Sequence, residues 1–493
     1  MSKSYDYLNR LTQIGSTPTA SPALTFTYRY NSAGQRYQTI INSDQPTSHW
    51  QYQYDSLGQL TSGKKAWWGG GVIPGQQFEY GFDTIGNRKY ARRGGDVNGA
   101  NLRQSDYTAN ALNQYSSRTV PGYVDVLGEA ANAATVTVNK QATTRQGDYY
   151  RAELTVANSS PLWQGLTNIA VLNQGSNPDL IATNLGNVLV PQTPESFTYD
   201  DDGNLTSDSL WTNVWSGENR RITIESRATV PTAGKAREQW THLPDGRWIE
   251  RIVSTNDGSS YVAVQTNRFV WDGNVLLAVL NHTNGLELAF MRGLDLSGTL
   301  QGAGGVGGLL AVQVGSAGPV ALTNTAHFAG YDGNGNVALL VNAADGKESA
   351  RYEYGPFAEP LRVSGIMGKA NPIRFSTQYA NDVTGDVKYK YRDYTPSAGR
   401  WFSRDPIDKE GGLNLYGMVH NAGGAGGFGG AGGLDEHGAF RWLRWERQRG
   451  FACERDGREG ERALRIRPVW RAAAGVGNHG KGEPDPLQHT ICG

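Results

Sequence analysis

Aromatic and polar residues alternate along this chain in short blocks that share one order. Each block has an aromatic residue, any residue and a second aromatic, then Asp or Asn, a short spacer, Gly, a polar residue and an apolar residue. A period of two places both rings on one face of a β-strand. Seven blocks follow this order with small variations: "YRYNSAGQR" from Tyr28, "YQYDSLGQL" from Tyr52, "YGFDTIGNR" from Tyr80, "FTYDDDGNL" from Phe197, "FVWDGNVLL" from Phe269, "GYDGNGNVALL" from Gly330 and "YEYGPFAEPL" from Tyr352.

Each block predicts a β-hairpin. The Asp or Asn caps the turn through its side chain, and Gly34, Gly58, Gly86 and Gly203 supply the positive φ that the turn needs. A single hairpin cannot bury its aromatic face, so the units are predicted to stack into one extended sheet. The second aromatics should then lie on strands, at equivalent places and substantially buried: Tyr30, Tyr54, Phe82, Tyr199, Trp271 and Tyr354.

These blocks resemble the RHS/YD-repeat family, which includes bacterial polymorphic toxins, the C component of insecticidal ABC toxins and the teneurins. The tract "TQYANDVTGDVKYKYRDYTPSAGRWFSRDP", from Thr377 to Pro406, is similar to the RHS-associated core signature of that family. The resemblance covers residues 5–118 and 197–421. It implies an all-β fold in which a ribbon of hairpins coils into part of a hollow shell.

Six segments are expected. The stretch between the two repeat regions lacks the repeat, but "ATVTVNKQ" and "YYRAELTVAN" alternate as strands do, which predicts a small β-rich insertion. Its role is either carbohydrate binding or that of a spacer. The segments are a YD-repeat region 1–119, the insertion 120–196, a second repeat region 197–376, the core 377–421, a Gly/Ala-rich junction 422–433 and a variable tail 434–493.

Net charge, cysteine content and the length of apolar runs exclude several classes of function. The net charge is zero and the isoelectric point is about 7.1, so the whole chain carries no electrostatic signal for nucleic acid or anionic membranes. Two cysteines, Cys453 and Cys492, exclude a disulfide framework. No apolar run reaches membrane-spanning length and no signal peptide is visible. We expect a bacterial protein that is cytoplasmic before export or display at the cell surface, and whose N-terminus begins inside a repeat.

Two motifs suggest ligand sites, but a structural role explains each of them better. "GAGGVG", from Gly302, matches a dinucleotide pattern, but Gly315, Gly318 and Pro319 interrupt the helix that such a site requires. "DGNGN", from Asp332, lacks the carboxylate at the twelfth position of a calcium loop. No cofactor and no metal are therefore predicted. The weakest metal candidates stand in the tail: His479, His489 and Cys492.

The motif "SRDP" carries the one catalytic hypothesis. In toxin members of the family the core ends in an aspartate-dependent self-cleavage, and the resemblance aligns Arg404 and Asp405 with the arginine and the first aspartate of that site. Such chemistry needs two carboxyl groups, one ionised and one protonated. The nearest second candidate is Asp435, beyond the junction and without the expected Asn-Pro. We predict a vestigial site and no enzyme activity.

The residues after Asn421 differ in composition from the rest. From Arg441 to Gly493 there are ten arginines and one lysine, which suggests a frameshift near Asn421 or an unrelated junction. We expect a poorly ordered tail, because glycine-rich chain loses much backbone entropy on ordering, and a first protease cut between Ala422 and Arg449.

Three functions remain open at this stage. The chain is a scaffold that encapsulates or displays its own C-terminal segment as cargo, an extracellular or cell-surface interaction scaffold without toxin release, or the carrier of a basic nuclease-like effector. Secretion-system or cell-surface partners fit the first two. Acidic residues interleaved with the arginines of the tail, such as Glu446 and Glu454, weaken the third.

Overall fold

The computed structural model describes residues 1–43 and 47–418, together with the backbone of two short strands at 433–434 and 440–441. Within these residues the protein consists of β-strands joined by turns and short 3-10 helices, which confirms the all-β fold class. No helix in this part of the chain is long and apolar enough to span a bilayer. The ordering of the junction and the tail, and Asp435 with them, lies outside the described residues.

The first repeat region forms an eleven-stranded antiparallel sheet whose order follows the chain. A late strand, β18, joins it beside β10. The strands are β1 (Ser2–Tyr5), β2 (Leu11–Ser16), β3 (Leu24–Tyr30), β4 (Arg36–Ile41), β5 (Ser48–Tyr54), β6 (Leu60–Trp67), β7 (Val72–Phe82), β8 (Arg88–Gly94), β9 (Leu102–Ala109), β10 (Tyr115–Arg118) and β18 (Glu195–Ser196).

The second repeat region forms a fourteen-stranded sheet, also in chain order. Two 3-10 helices, Thr232–Gly234 and Val320–Leu322, lie in its connections. The strands are β19 (Thr198–Tyr199), β20 (Leu205–Ser207), β21 (Trp211–Trp215), β22 (Arg221–Ser226), β23 (Ala236–His242), β24 (Trp248–Asn256), β25 (Tyr261–Asp272), β26 (Val275–Leu280), β27 (Leu286–Arg292), β28 (Leu309–Val314), β29 (Ala326–Tyr331), β30 (Val337–Asn342), β31 (Glu348–Tyr354) and β32 (Pro360–Ser364).

The predicted insertion is β-rich, with two small sheets and a core of its own. One sheet has the order β11-β15-β14 and the other β13-β12-β16-β17. The core between them contains Val126, Val138 and Leu154. The strands are β11 (Tyr123–Glu129), β12 (Thr135–Val138), β13 (Gln141–Ala142), β14 (Thr144–Gln146), β15 (Tyr149–Thr155), β16 (Leu162–Gln174) and β17 (Asn177–Val190).

The core signature folds as a small four-stranded sheet. It is preceded by a 3-10 helix, Phe375–Thr377, and followed by another, Asp408–Gly411. Its strands are β33 (Tyr379–Ala380), β34 (Val387–Lys388), β35 (Asp393–Thr395) and β36 (Arg400–Trp401), and the last described pair is β37 (Gly433–Leu434) with β38 (Phe440–Arg441).

The hairpin turns have the predicted geometry. At the β7–β8 turn, Asp83 Oδ1 accepts hydrogen bonds from the backbone N–H groups of Ile85 at 3.0 Å and Asn87 at 2.8 Å. Gly86 takes a φ of 91°, which an L-residue adopts only at a cost. The same carboxylate capping recurs at Asp55 and at Asp332. The repeat in the sequence is therefore a repeat of one turn.

More hairpins share this turn than the sequence pattern revealed. The missed units carry Asn where the pattern requires Gly, and Asn is the residue that best tolerates a positive φ after glycine. The turn at Asn110, for example, has Asn113 at a φ of 62°. The Asn residues at this turn position are Asn9, Asn113, Asn219 and Asn284.

In most repeats the first aromatic is more deeply buried than the second. Tyr28 and Tyr80 are both 3% exposed, whereas Tyr52 and Phe197 are half-buried, as the second rings are. The six second aromatics lie on strands, as predicted, but each is only half-buried. Four of the six, all but Phe82 and Tyr199, have a polar tip that donates to a backbone carbonyl of an earlier strand. Tyr54 Oη donates to the carbonyl oxygen of Arg36 at 2.8 Å, and Trp271 Nε1 donates to that of Trp248 at 2.8 Å.

The ribbon curls back on itself, because late hairpins of the second sheet pack on early strands of the first. The backbone N–H of Gly333 donates to Tyr28 Oη at 2.5 Å. Lys65 Nζ lies 2.8 Å from Glu353 Oε2, and the Tyr80 and Phe357 rings meet edge to face at 4.7 Å. The two sheets consequently share one hydrophobic core. Neither sheet is closed, and each ends in two edge strands.

Candidate functional site

The core sheet is attached to the second repeat sheet by a buried cluster of charges. Arg221 on β22 lies 2.9 Å from Asp386 Oδ2 through Nη2 and 2.8 Å from Asp393 Oδ2 through Nε. Lys388 Nζ lies 3.2 Å from Asp393 Oδ1. All four side chains are at most 6% exposed. Charges this deeply buried must stay paired, so the cluster holds the two sheets in one arrangement.

A second buried network lies two strands further along. Arg251 on β24 pairs with Glu238 on β23, and its Nη2 donates to Asn381 Oδ1 at 2.9 Å. Asn381 Nδ2 donates to Glu238 Oε2 at 2.7 Å, so the amide joins both ends of the ion pair. Arg251 Nη1 also donates to Tyr379 Oη at 3.1 Å. The core segment thus supplies hydrogen-bond partners for charged side chains that are buried on the repeat strands.

Asp405, the aspartate of the catalytic hypothesis, lies at the end of the core sheet. Its Oδ2 is 3.0 Å from Arg392 Nη1, and the two side chains are 11% and 2% exposed. Its Oδ1 accepts the backbone N–H of Ile407 at 3.1 Å, and its carbonyl accepts that of Asp408 at 2.9 Å. Arg392 also lies 4.2 Å above the Trp401 ring. Asp405 therefore caps a turn and neutralises a buried cation.

Arg404 contacts the repeat ribbon. Its Nε donates to the carbonyl oxygen of Asp202 at 2.6 Å and its Nη2 to that of Asp201 at 3.2 Å. Tyr416 Oη donates to the carbonyl oxygen of Gly203 at 2.8 Å. The end of the core is therefore docked on one hairpin turn. Since Asp435 lies outside the described residues, the structure does not test whether a second carboxyl group reaches Asp405.

The docking depends on the absence of a side chain at Gly203. Gly203 has a φ of 82°, and a Cβ there would lie 2.5 Å from Tyr416 Oη and 2.6 Å from Arg404 Nε. We expect Gly203→Ala to lower the free energy of unfolding by more than the 1–2 kcal/mol typical of left-handed strain, and to expose residues 404–416 to protease. Gly34→Ala is the control, because Gly34 has a φ of 79° and nothing within 4 Å. Equal losses in the two variants would contradict the docking.

A carboxylate pair that the sequence gave no reason to notice lies in a cavity of about 280 Å³. Glu195 pairs with Arg118, and Ser209 Oγ donates to Glu195 Oε1 at 2.7 Å. Asp208 Oδ1 accepts the backbone N–H groups of Leu210 and Trp211, both at 2.7 Å. Burial and the nearby charge of Glu195 raise the pKa of Asp208 to about 7. Neither carboxylate belongs to a recognisable motif.

The raised pKa of Asp208 predicts that the effect of Asp208→Asn on stability depends on pH. Because the folded pKa of about 7 lies above the unfolded value, the free energy of unfolding falls as the pH rises from about 4 through 7. Asp208→Asn keeps the Oδ1 acceptor and removes the charge. We expect it to raise the free energy of unfolding by up to about 4 kcal/mol at pH 8 and by almost nothing at pH 4. Denaturant titrations at both pH values measure this, and a uniform loss would contradict it.

The two glycine-rich motifs of the sequence form a connection and a turn between strands. The "GAGGVG" segment joins β27 to β28, and Asp295 Oδ2 accepts the backbone N–H groups of Ala303 at 2.6 Å and Gly305 at 3.2 Å. "DGNGN" is the turn of a repeat. In the part of the chain that the structure describes, no cluster of three or more potential metal ligands occurs. The tail residues with metal-ligand chemistry lie outside that part.

Curated bacterial proteins match parts of the chain, among them three toxin proteins. Double-stranded DNA deaminase toxin A of Burkholderia cenocepacia is 26% identical over 243 residues, or 48% of this chain and 17% of that protein. Toxin subunit YenC2 of Yersinia entomophaga is 43% identical over 70 residues, 14% of this chain and 7% of that protein. Toxin protein Tse5 of Pseudomonas aeruginosa is 45% identical over 53 residues, 11% and 4%. This chain is related to bacterial toxin proteins.

The chain spans less than a fifth of the length of these toxin relatives. Among solved structures, the crystal structure of TcdB2-TccC3 matches with a TM-score of 0.38 and 18% identity, covering 85% of this chain and 20% of that one. No family model matches the sequence.

Proposed function

We propose that this chain is the repeat ribbon of an RHS-type toxin, a scaffold that carries the polypeptide following residue 421. The observation that carries the proposal is the position of the core segment, which joins both repeat sheets. Arg221 of the second sheet binds Asp386 and Asp393 of the core. On the first sheet, core residue Arg400 donates to the carbonyl oxygen of Asn113 at 2.7 Å.

The first-sheet contact is reinforced by an aromatic ring. The guanidinium carbon of Arg400 lies 3.7 Å from the centre of the Tyr115 ring and 5.1 Å from that of Tyr416. Ribbon and core therefore form one body, and the chain that follows leaves from a rigid end. A rigid exit point suits a carrier, because cargo can be held or cut there without unfolding the scaffold. Export from a bacterium is part of this proposal.

Enclosure and display of the cargo differ in what a protease can reach. The two sheets are open, so we expect the tail of this chain to be displayed. The test is limited trypsin digestion of the full chain followed by mass spectrometry. Rapid loss of residues after 441 with a resistant ribbon supports display. A tail protected until denaturant is added supports enclosure. Simultaneous digestion of ribbon and tail contradicts a scaffold with separate cargo.

A nuclease-like effector in the tail is a separate question with a separate assay. The full chain would be incubated with duplex DNA and with tRNA, and the nucleic acid followed on gels, with trypsin-trimmed ribbon as the control. Cleavage by the full chain alone would assign the activity to the tail. Our proposal predicts a functional scaffold whether or not the tail is active, so a negative result leaves the scaffold intact.

A surface-interaction role has one specific observation in its favour. A cleft of about 500 Å³ lies between the insertion and the ribbon, lined by Trp67, Tyr149 and Tyr150 among others. Gln76 in its lining is 5% exposed, and its Oε1 has no hydrogen-bond partner within the described chain. These aromatic side chains are at most 9% exposed, so the cleft offers ring edges and an amide oxygen without a partner, which suit the rim of a neutral sugar. Glycan-array binding that is lost in Gln76→Ala would support carbohydrate recognition, and absence of binding would remove it.

A further inference from the structure

The hairpin of β16 and β17 in the insertion is almost free of charge. From Trp163 to Val190 the sole ionisable residue is Asp179, in a chain of which 19% is charged. The first eleven residues of β17, Asn177 to Asn187, are all exposed. Exposed strands normally carry charges that keep them soluble and apart from other strands. This strand carries a single charge, Asp179 near its start.

The outer edge of β17 is also unpaired within the described chain. In its sheet the order is β13-β12-β16-β17, so β17 bonds to β16 on one side and to no described strand on the other. Three large aliphatic side chains on it are mostly exposed: Leu180 at 55%, Ile181 at 67% and Leu185 at 71%. A long edge with one charge and several exposed aliphatics is a template for adding another strand.

We propose that β17 pairs antiparallel with β17 of a second copy of this chain, around a two-fold axis at Thr183. The pairing joins two four-stranded sheets into one of eight strands. Because i pairs with a residue equally far on the other side of Thr183, Ile181 of one copy lies opposite Leu185 of the other. Asp179 then lies opposite Asn187, so the two carboxylates do not meet.

Self-complementarity is the reason for choosing a second copy as the occupant. A two-fold contact brings the same surface together with itself, which is unfavourable where like charges meet and is tolerated on a strand whose one carboxylate faces a neutral residue. The length is sufficient as well. Fourteen residues extend for about 45 Å. Two such edges with their side chains bury roughly 1,000 Å², about the size expected of a specific interface.

The first test measures the mass of the full chain in solution. Analytical ultracentrifugation should show a dimer, and Ile181→Lys/Leu185→Lys should raise its dissociation constant at least about tenfold, with unchanged circular dichroism. Phe328→Lys is the control, because this side chain is 56% exposed and lies on β29 at a position paired on both sides, with Ala311 of β28 and Val341 of β30. A monomeric wild-type chain, or a dimer that the edge lysines leave intact, would overturn the proposal.

The second test reads the register directly. In a Cys453→Ser/Cys492→Ser background, Thr183→Cys should form a disulfide-linked dimer on mild oxidation. An equal mixture of Ile181→Cys and Leu185→Cys chains should cross-link as a heterodimer more than either chain does alone. Cross-linking at Thr183 without the mixed product would reject this register. Failure of both, with the wild type dimeric, would place the contact elsewhere. Neither result bears on whether the chain carries cargo.

Discussion

Arg221→Met should lower the free energy of unfolding by about 3–5 kcal/mol, the range seen when one partner of a buried ion pair is removed. The side chain keeps its length and apolar stem, so packing is largely preserved. What is lost is the cation between Asp386 and Asp393, whose carboxylates are 6% and 5% exposed. Lys388 then remains as the described cation beside Asp393. The core sheet should loosen from the ribbon before the repeat sheets unfold.

The destabilisation caused by Arg221→Met should depend on pH, in a direction that the pKa values of the two aspartates determine. Burial raises the pKa of Asp386 to about 6, above its unfolded value, so its contribution to stability is greatest at acidic pH and is lost as the pH rises through 6. For Asp393, burial raises the pKa, but the positive charges of Lys388 and Arg221 lower it by more. The pKa of Asp393 therefore lies below its ordinary value. Without Arg221 both carboxyl groups hold protons more tightly, so the variant should lose less stability at pH 5 than at pH 8.

A matched control is present on the same sheet. Arg247 pairs with Asp245 at 2.7 Å in an exposed turn, with side chains 28% and 45% exposed. Arg247→Met should change the free energy of unfolding by no more than about 1 kcal/mol, because exposed pairs contribute little. Urea titrations of both variants at pH 5 and pH 8 supply the comparison. Equal losses, or a loss at Arg221 that is independent of pH, would show that the cluster does not hold the core sheet.

The fold could be predicted from the sequence because each repeat has an unusual combination of residue types at fixed positions. Two aromatics, an aspartate and a glycine at fixed offsets encode one strand end and one turn, as at Tyr80, Asp83 and Gly86. Units with Asn113 or Asn219 at the turn were missed, since Asn is compatible with many conformations besides positive φ. The hydrogen bonds from Tyr54 and Trp271 to earlier strands could not be predicted either, because they depend on which strands lie side by side.

The candidate site could be predicted only in part. Resemblance pointed to Arg404 and Asp405, but it could not show that Asp405 pairs with Arg392 or that Arg404 binds a turn some 200 residues earlier in the chain. The same holds for Arg221 and Asp393, which are 172 residues apart. Such pairs are set by how the ribbon curls. Local spacing in a sequence contains no information on that.

The environment of Asp405 predicts that its loss alters stability and leaves the covalent chain unchanged. Asp405→Asn removes the carboxylate 3.0 Å from Arg392, a side chain 2% exposed, and should lower the free energy of unfolding by roughly 3 kcal/mol. Asp408→Asn, an exposed neighbour, should cost almost nothing. Both variants and the wild type should keep full mass after incubation from pH 5 to pH 8, because a carboxylate held by a buried cation and a turn is poorly placed to act as acid and base. A fragment beginning between Ala439 and Arg441 that disappears in Asp405→Asn and Asp435→Asn, but persists in Asp408→Asn, would instead assign self-cleavage to this chain.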